Sequence, residues 1–478
     1  FFFFLCFLPM GKHFHVITSL FNVFFMRLDR GNVRPVRYGV SDEELDNLES
    51  FGVKKFSDFT WKDVLDFYTC ADCGRCSDQC PANTVKRPLS PRFISIKARD
   101  YAFSPFPLKG ECVAHQPLIG EGGIYTEDEI WSCTTCGACE QECPIGIEYI
   151  NKIVDLRRGM VDDGNVPQTL QKPLSSLGKR GNPYGKMEKK RADWTKELED
   201  CEVKILEKDV TAETLYFVDS ISSYDERMQE VARATSEIMC AAGLDFGVLG
   251  KAEKDSGNEV KRFGEEMLFQ DLKSQNTDAI LNSGVKNIVT AEPHAYNALK
   301  NEYTDMPPVE HISQVIVKAV SSGRLKLKGV NEEEQEKVYT YHDPCYLGRH
   351  NTDYESARMI LRSVPGISLV EMDRNRKNAL CCGGGGGLLT DDLMEIRVKG
   401  AMPRMQALKT VVEENGVTHM AAICAICKSQ FSKVIPYYGF TMDQIVSVHQ
   451  LVGDALTWDN FEKVDTGADD DSDSNEQE

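Results

Sequence analysis

Short apolar runs and stretches of helical spacing alternate along the carboxyl-terminal half of the chain. Four apolar runs predict buried strands, at residues 214–218, 287–290, 337–342 and 419–423. Apolar positions with helical spacing over 224–242 and 356–364 predict helices there. Strands that alternate with helices are typical of parallel sheets, so the pattern predicts two α/β units.

The two predicted units resemble each other in the order of their segments. The sequence VTAEPHA (289–295) corresponds to AAICAIC (421–427), and VEHISQVI (309–316) corresponds to SVHQLVGD (447–454). This register pairs Ser220 with Cys345, Lys254 and Asp255 with the vicinity of Cys381 and Cys382, Glu292 with Cys424, and Ala295 with Cys427. We therefore predict an internal duplication whose first copy has lost its soft ligands and serves as structural support or as part of a substrate pocket. The alternative is a chance likeness between two α/β units.

The amino-terminal 40 residues are rich in apolar side chains. An apolar run at 1–8 is soon interrupted by a proline and a lysine, and a second apolar patch covers 16–26. Because a membrane-spanning helix needs about 20 apolar residues, we interpret 1–40 as a membrane-proximal segment, the end of a longer membrane domain. Four arginines follow the second patch, and this bias predicts an exit on the cytoplasmic side. The alternative is an ordinary hydrophobic helix packed on the protein body.

Composition and charge narrow the class of protein. The chain has 478 residues, 41% hydrophobic and 27% charged, which is typical of a folded protein with two to four domains. The formal net charge of −19 argues against a nucleic-acid partner, because such proteins cluster Lys and Arg. Helical spacing predicts a helix over 41–67, and the polar, basic composition of 161–210 predicts a linker. The acidic tail 465–478 is predicted to be disordered.

Thirteen of the 17 cysteines fall into three arrays, and the first two share one spacing. They read Cys70-x2-Cys73-x2-Cys76-x3-Cys80-Pro81 and Cys133-x2-Cys136-x2-Cys139-x3-Cys143-Pro144. In tandem arrays of this kind three cysteines hold one [4Fe-4S] cluster, and the fourth, before proline, holds the other. The spacing predicts cluster 1 on Cys70, Cys73, Cys76 and Cys143, and cluster 2 on Cys133, Cys136, Cys139 and Cys80. A zinc ribbon would leave two cysteines of each array unexplained, and free thiolates favour a reducing compartment.

The third array comprises Cys345, the adjacent pair Cys381-Cys382, and Cys424-x2-Cys427. Adjacent thiolates do not suit one corner of an ordinary cubane, so the array predicts an unusual cluster or one with an iron that substrate can reach. The glycine run 383–387 follows at once and lets backbone N–H groups approach an anionic cluster. Two histidines, His342 and His350, flank Cys345 and are expected to tune the cluster through hydrogen bonds. Four isolated cysteines are interpreted as packed residues: Cys6, Cys112, Cys201 and Cys240.

The third array resembles the cysteine-rich CCG domain. That domain occurs in catalytic subunits of heterodisulfide reductase and in iron–sulfur subunits of lactate-, glycolate- and glycerol-3-phosphate-oxidising systems. Two ferredoxin-type arrays followed by two CCG-type units resemble the D-type subunit of heterodisulfide reductase and its membrane-associated relatives. The resemblance implies a catalytic, non-cubane [4Fe-4S] cluster on Cys345, Cys381, Cys382, Cys424 and Cys427, with Gly383 beside it. The loss of ligands from the first unit departs from the two-cluster members and argues against heterodisulfide cleavage.

A second resemblance concerns residues 8–25, which are similar to the end of a nitrate-reductase-gamma-like cytochrome b domain. Some relatives carry that domain upstream of the iron–sulfur part. The resemblance implies haem b in the full-length protein, with His15 as a candidate ligand. It also implies electron transfer between electron-transfer flavoprotein and menaquinone.

The expected fold is a helical, ferredoxin-like domain with two [4Fe-4S] clusters (41–160), a linker (161–210), and a duplicated α/β CCG-type domain. Its first unit (211–330) is degenerate, and its second (331–464) holds a cluster. The expected function is a membrane-associated oxidoreductase on the cytoplasmic face of the cell membrane, relaying electrons between a soluble flavoprotein and the quinone pool. Two alternatives stay open: a heterodisulfide or thiol–disulfide reductase subunit, and a non-catalytic electron-transfer subunit of a lactate-, glycolate- or glycerol-3-phosphate-type dehydrogenase.

Overall fold

The computed structural model describes residues 2–3, 13–36, 43, 50–103, 117–207, 209–329, 337–384 and 394–457. Several sequence-based expectations concern residues outside these ranges, namely the acidic tail, the glycines at 385–387, Cys6 and Cys112.

Short helices build the amino-terminal part of the protein. They are α1 (His15–Phe24), α2 (Trp61–Thr69), α3 (Arg75–Asp78), α4 (Pro81–Thr84), α5 (Pro91–Ala102), α6 (Glu127–Trp131), α7 (Ala138–Glu142), α8 (Tyr149–Asp162) and α9 (Gln168–Arg180). Cys70, Cys76 and Cys80 are buried in the same hydrophobic core as Phe59 and Phe67, whose rings meet edge to face with centroids 5.0 Å apart. The cysteines of the first array are therefore part of the packing of this domain.

The helix predicted over 41–67 is confirmed at Glu43 and from Trp61 onward, but it is wrong for residues 50–60. A 3-10 turn occupies Phe56–Asp58, and α2 begins only at Trp61. Thr60 stops a longer helix because its backbone is extended, with φ −71° and ψ 161°. Its side chain accepts a hydrogen bond from the Asp63 N–H in a capping box, which starts a new helix.

Helix α1 packs against α2 and leaves a broad apolar face in contact with solvent. Leu20 and Phe24 are 74% and 79% exposed, whereas the Asn22 amide on the opposite face donates to the Ile145 carbonyl at 2.8 Å. His15, the candidate haem ligand, is half-buried at the start of this helix. Across the described ranges no helix combines the length and the apolarity needed to cross a bilayer.

A fully buried lysine joins α2 to α8. The Lys152 ammonium contacts the Asp66 carboxylate and lies 3.3 Å from Asp63, and none of the three side chains is exposed. Burial alone would raise the pKa of Asp63, but the charges of Lys152 and Arg34 outweigh it and lower that pKa to about 2. Both carboxylates therefore depend on the lysine for their charge balance.

Replacing Lys152 with methionine should lower the free energy of unfolding by about 3–5 kcal/mol, because each of two buried carboxylates loses one of the two cations that it contacts. The matched control is Lys409, an exposed residue 3.6 Å from Glu413. Lys409→Met should cost less than about 1 kcal/mol, as exposed pairs do. Urea unfolding of the anaerobic, cluster-loaded protein measures both. Equal stability losses in the two variants would contradict this reading of Lys152.

The first α/β unit contains a five-stranded parallel sheet. Its elements are β1 (Lys204–Ile205), β2 (Thr214–Phe217), α10 (Asp219–Tyr224), α11 (Gln229–Ala241), β3 (Phe246–Val248), α12 (Asn258–Arg262), α13 (Glu266–Ser283), β4 (Asn287–Thr290), α14 (Pro293–Asn301), β5 (Val309–His311) and α15 (Ile312–Ser321). The strand order is β1-β3-β2-β4-β5. The central pair β2–β4 is in register from Thr214 opposite Asn287 to Phe217 opposite Thr290.

The second unit contains a four-stranded parallel sheet in the order β7-β6-β8-β9. Its elements are β6 (Lys337–His342), α16 (Ser356–Ser363), β7 (Ile367–Leu369), α17 (Met394–Asn415), β8 (His419–Ala422), α18 (Ala425–Val434), β9 (Ile445–Ser447) and α19 (Val448–Asp454). The predicted parallel arrangement of strands and helices is confirmed in both units.

Strand β4 of the first unit and strand β8 of the second are each followed closely by the N-cap residue of a helix. Glu292, after β4, is the N-cap residue of α14, and Cys424, after β8, is the N-cap residue of α18. The carboxyl edge of parallel strands is where α/β proteins commonly bind ligands. The fold thus places Glu292 and Cys424 at equivalent edges.

The segment predicted to be a linker, 161–210, contains regular structure that its polar composition does not predict. Helix α9 buries Leu170, Leu174 and Leu177 in the core of the first α/β unit. Strand β1 adds to the edge of that unit's sheet. The missed signal is the spacing of the three leucines, which lie on one face of a helix.

Candidate iron–sulfur centres

The first two arrays adopt the same local structure. Each turns at a glycine with positive φ, Gly74 at 84° and Gly137 at 75°, which serves as the N-cap of a short helix. A side chain is disfavoured in this conformation, so glycine suits the turn. The turn brings the cysteines before and after it to the same side of the chain.

Cys143 lies with the first array and not with its neighbours in sequence. One cavity is lined by Cys70, Cys73, Cys76 and Cys143. The Tyr149 hydroxyl lies 3.5 Å from Cys76 Sγ, and the Ile147 N–H donates to Cys143 Sγ at 3.4 Å. The structure therefore brings together the four cysteines predicted to hold cluster 1.

Cys80 lies correspondingly with the second array. Its thiol interacts with those of Cys133 and Cys136, and the Cys139 thiol interacts with Cys133 and Cys80. The exchange of fourth cysteines between arrays, predicted from the spacing, is present in the arrangement of the side chains. That the eight thiols ligate iron stays a prediction.

Burial and the donor set of these groups fit [4Fe-4S] clusters. Burial raises the pKa of Cys70 to about 11 and raises the pKa of Cys139 well above its ordinary value. Thiolates are the form that binds metal, and a buried thiol releases its proton when a cation takes its place. Two compact groups of four thiols, most of them withdrawn from solvent, are suited to iron.

The third array gathers on the carboxyl edge of the second sheet. Cys382 Sγ and Cys427 Sγ lie within 4.8 Å of each other, and the Cys427 N–H donates to Cys424 Sγ at 3.3 Å. Cys345 lies in the loop after β6. Burial raises the pKa of its thiol well above the ordinary value, and the nearby Cys381 thiol raises it further. Hydrogen bonds from Cys381 and Cys427 lower the pKa of Cys382 well below that of a free thiol.

Backbone N–H groups of the glycine run point at this array. Gly383 donates to Cys381 Sγ and Gly384 to Cys382 Sγ, each at 3.4 Å. Donors of this kind stabilise negative charge on sulfur. The predicted approach of the glycine backbone to the site is thus present for the two glycines that the structure describes.

The second and third arrays meet directly. Thr134 Oγ1, two residues before Cys136, lies 3.9 Å from Cys381 Sγ, and the Cys381 thiol together with burial raises the pKa of Cys136 well above its ordinary value. Arg349 bridges the two loops, donating to the Cys136 carbonyl at 2.8 Å and to the Ala379 carbonyl at 2.6 Å. Cysteine spacing carries no sign of this junction, and the one local signal for it is an arginine four residues after Cys345.

The two histidines that flank Cys345 have different surroundings. His350 Nε2 lies 3.0 Å from the Thr135 carbonyl, so this ring connects the second unit to the second array. His342 is fully buried, and neither ring nitrogen has a hydrogen-bond partner in the described part of the chain. A ligand atom of His342 lies within 4.8 Å of Cys382 Sγ and Cys427 Sγ. The roles of both histidines as tuning groups stay predictions.

Four of the positions in the first unit that correspond to cysteines carry oxygen donors or a methyl group, and at the fifth Lys254 forms an ion pair with Glu188. Ser220 and Asp255 are buried, and Ala295 is packed in the hydrophobic core. Glu292 reaches into the third array: Cys424 Sγ donates to Glu292 Oε1 at 3.3 Å, and the Ala425 N–H donates to Oε2 at 3.0 Å. Burial, followed by the neighbouring Cys424, raises the pKa of Glu292 well above its ordinary value.

Cys201 and Cys240, interpreted from the sequence as isolated packed residues, form a disulfide. They lie 39 residues apart in the chain, with Cys201 before β1 and Cys240 in α11. The pairing could not be inferred from spacing, because neither residue belongs to a recognisable motif. The other described cysteines are free thiols.

Comparison with protein families identifies both cysteine-rich regions. A 4Fe-4S dicluster domain matches residues 69–147, and a cysteine-rich domain, CCG, matches residues 221–300 and 339–432. Together these matches cover just over half of the chain. The chain contains the 4Fe-4S dicluster domain and the CCG domain of iron–sulfur proteins. The resemblance inferred from the cysteine spacing is thus confirmed, and the CCG match includes the unit whose cysteines are replaced.

Curated relatives of this CCG-domain protein share most of its length. The probable iron-sulfur-binding oxidoreductase FadF of Bacillus subtilis (strain 168) is 37% identical over 428 residues, which cover 81% of this chain and 59% of FadF. The EtfAB:quinone oxidoreductase of Syntrophomonas wolfei is 34% identical over 80% of this chain and 56% of the relative. The D-type subunit of the dihydromethanophenazine:CoB–CoM heterodisulfide reductase of Methanosarcina barkeri is 29% identical over 77% of this chain and 89% of that relative. The chain spans less than two thirds of the first two relatives.

Proposed function

We propose that this CCG-domain protein relays electrons between a soluble flavoprotein and a membrane quinone through three iron–sulfur centres. Support comes from the relative named EtfAB:quinone oxidoreductase, with which it shares 34% identity. The first two centres would be [4Fe-4S] clusters on the crossed cysteine groups, and the third a non-cubane [4Fe-4S] cluster on the five cysteines of the third array. Such clusters carry one electron at a time, so a relay of three can divide the two-electron step of a flavin or quinol.

The observation that carries the proposal is the junction of the second and third arrays, where Thr134 Oγ1 lies 3.9 Å from Cys381 Sγ and Arg349 donates to carbonyls of both loops. A second centre on its four cysteines would then lie beside the third, and the exchanged Cys80 and Cys143 would join the first centre to the second. The three centres would then form one unbranched path. Arg349, with its guanidinium at the junction, would hold the two loops in place and offset negative charge on both sides.

The exposed face of α1 supports placing the membrane at the first centre. Its Asn22 side chain binds the Ile145 carbonyl, two residues beyond Cys143, while Leu20 and Phe24 face solvent. An amphipathic helix with such a face can lie in a membrane interface. The first centre would therefore exchange electrons with quinone at the cytoplasmic face of the membrane, and the third centre would exchange electrons with the flavoprotein. Haem b ligation by His15 remains a prediction of the same arrangement.

The disulfide-reductase alternative has weaker support. The heterodisulfide reductase relative is 29% identical, but Glu292 and Ala295 stand where a second CCG cluster would need cysteines. We also infer that the two α/β units arose by duplication, since the CCG domain matches both and their central strands share one order. Of the two α/β units only the second has the cysteines that would hold a CCG cluster. One such cluster fits electron transfer better than a reaction that uses two.

Stopped-flow reduction by reduced electron-transfer flavoprotein tests the order of the centres. Anaerobic wild-type protein should lose the visible absorbance of all three clusters. Cys382→Ala, which removes a ligand of the third centre, should slow the reduction of the remaining two by at least about tenfold, because the entry point is gone. The Cys73→Ala variant, altered only at the first centre, should keep wild-type rates at the other two. Fast reduction of Cys382→Ala would contradict entry at the third centre.

A further inference from the structure

The first α/β unit, which lacks cysteines at its site positions, supplies two other potential ligands to the third centre. The ligand atoms of Glu292, His294 and Cys424 all lie within 4.8 Å of one another. All three residues are buried, with exposed fractions of 1%, 4% and 1%. Carboxylate oxygen, imidazole nitrogen and thiolate sulfur are each established ligands of iron and zinc.

The topology explains why these residues meet. Glu292 and Cys424 cap equivalent helices, α14 and α18, at the carboxyl ends of β4 and β8. The two units face each other at these edges, so the Glu292 carboxylate lies against both Cys424 Sγ and the first N–H of α18. The side chain that replaced a cysteine in one unit is thus directed at the cysteine retained in the other.

His294 has the surroundings of a metal-bound histidine. Its Nδ1 is held by the Glu259 carboxylate in a buried ion pair, and Asn258 Nδ2 lies 3.3 Å from the same nitrogen. A carboxylate on one ring nitrogen commonly fixes the other nitrogen toward a metal. A ring nitrogen of His294 lies within 4.8 Å of Cys424 Sγ, and this sulfur is assigned to the third centre.

The Glu292 carboxylate lacks a basic partner other than His294. Among the described residues no lysine or arginine forms an ion pair with it, although it is fully buried next to a thiol. Removing such a group from water is costly unless a charge or a metal balances it. A cation bound at Glu292 and Cys424 would provide that balance.

We propose that Glu292 and His294 bind an iron of the third centre together with Cys424, so that this cluster has oxygen and nitrogen ligands from the first α/β unit. The inference rests on the third centre proposed above. It gives the unit without cysteines a direct role in the cluster, and it makes one iron chemically distinct from those held by sulfur alone.

Pulsed EPR of protein labelled with ¹⁵N-histidine tests the assignment. The signal of the third centre should show the strong nitrogen hyperfine coupling of a directly bound imidazole, and isotopic labelling should change that coupling. His294→Gln should abolish it, and Glu292→Gln should shift the g values of this signal alone. His311→Gln is the matched control, because His311 is a buried histidine of the same unit whose nitrogens contact Ser313 Oγ and the Ala291 carbonyl.

The outcomes separate this inference from the proposed function. A third-centre signal without histidine coupling in the unaltered protein would overturn the inference and leave the relay intact. Coupling that disappears in His342→Gln but persists in His294→Gln would also overturn it, since His342 is the other histidine near the array. The complete absence of a third-centre signal would overturn both. Signals of clusters 1 and 2 in each variant verify that it has folded.

Discussion

Replacing Cys143 with alanine should abolish cluster 1 and leave clusters 2 and 3 in place, although Cys143 belongs to the second array in sequence. Cys143 lines the cavity formed by Cys70, Cys73 and Cys76, so it is the fourth thiol of that group. A [4Fe-4S] cluster that loses one of four cysteines commonly loses an iron or fails to assemble. Iron content should fall by about one atom per chain if the cluster loses one iron, or by about four if it fails to assemble, and EPR of the reduced protein should in either case lose one of two [4Fe-4S] signals.

Cys80→Ala provides the reciprocal control. Cys80 lies with the second group, so its replacement should remove cluster 2 and spare cluster 1. Cys143 belongs to the second array in sequence but to the first group of thiols in space. For Cys80 the reverse holds. Loss of cluster 2 in Cys143→Ala, with cluster 1 retained, would show that each array binds its own cluster and would contradict the crossed arrangement.

Replacing Gly383 with alanine should eliminate the third centre without changing any cysteine. Gly383 has φ +80°, and a Cβ at this position would lie 2.3 Å from the Gly400 carbonyl carbon and 2.5 Å from the Ala401 nitrogen. Both are backbone atoms of α17 and cannot move independently of the helix. The loop must therefore shift, and with it the N–H groups that Gly383 and Gly384 direct at the two thiols.

Gly416→Ala is the matched control for this steric effect. Gly416 also has a positive φ, +66°, but nothing lies within 4 Å of an added Cβ. It should cost only about 1 kcal/mol of backbone strain and keep all three centres. Iron assay and EPR of the anaerobic proteins compare the variants. A normal third-centre signal in Gly383→Ala would refute the role assigned to this close contact.

The strands and helices of the α/β units were predicted well from local patterns, because each of these elements is formed by residues near one another in the chain. Strands at 287–290 and 337–342 begin and end where the apolar runs do. The helix over 41–67 was predicted from spacing alone, and the capping box at Thr60 shows why spacing was insufficient. Helix α9 was missed because charged residues around its three leucines dominate the composition of the segment.

Contacts between units could not be read from the sequence. The register that aligned Glu292 with Cys424 anticipated equivalent positions, but not that the two side chains would touch across the interface. Cys136 and Cys381 are far apart in the chain, and their proximity depends on how the helical domain packs on the second sheet. Long-range packing of this kind leaves no periodic signal in one sequence. The same holds for the Cys201–Cys240 disulfide.

The content of iron and acid-labile sulfide in the anaerobically purified protein, measured with a redox titration by EPR, tests the central claim most directly. Three centres on thirteen cysteines predict about 12 iron atoms per chain and three separable signals, two of ferredoxin type and one unusual. Colourless protein, zinc in place of iron, or about eight iron atoms with an empty third array would contradict the account.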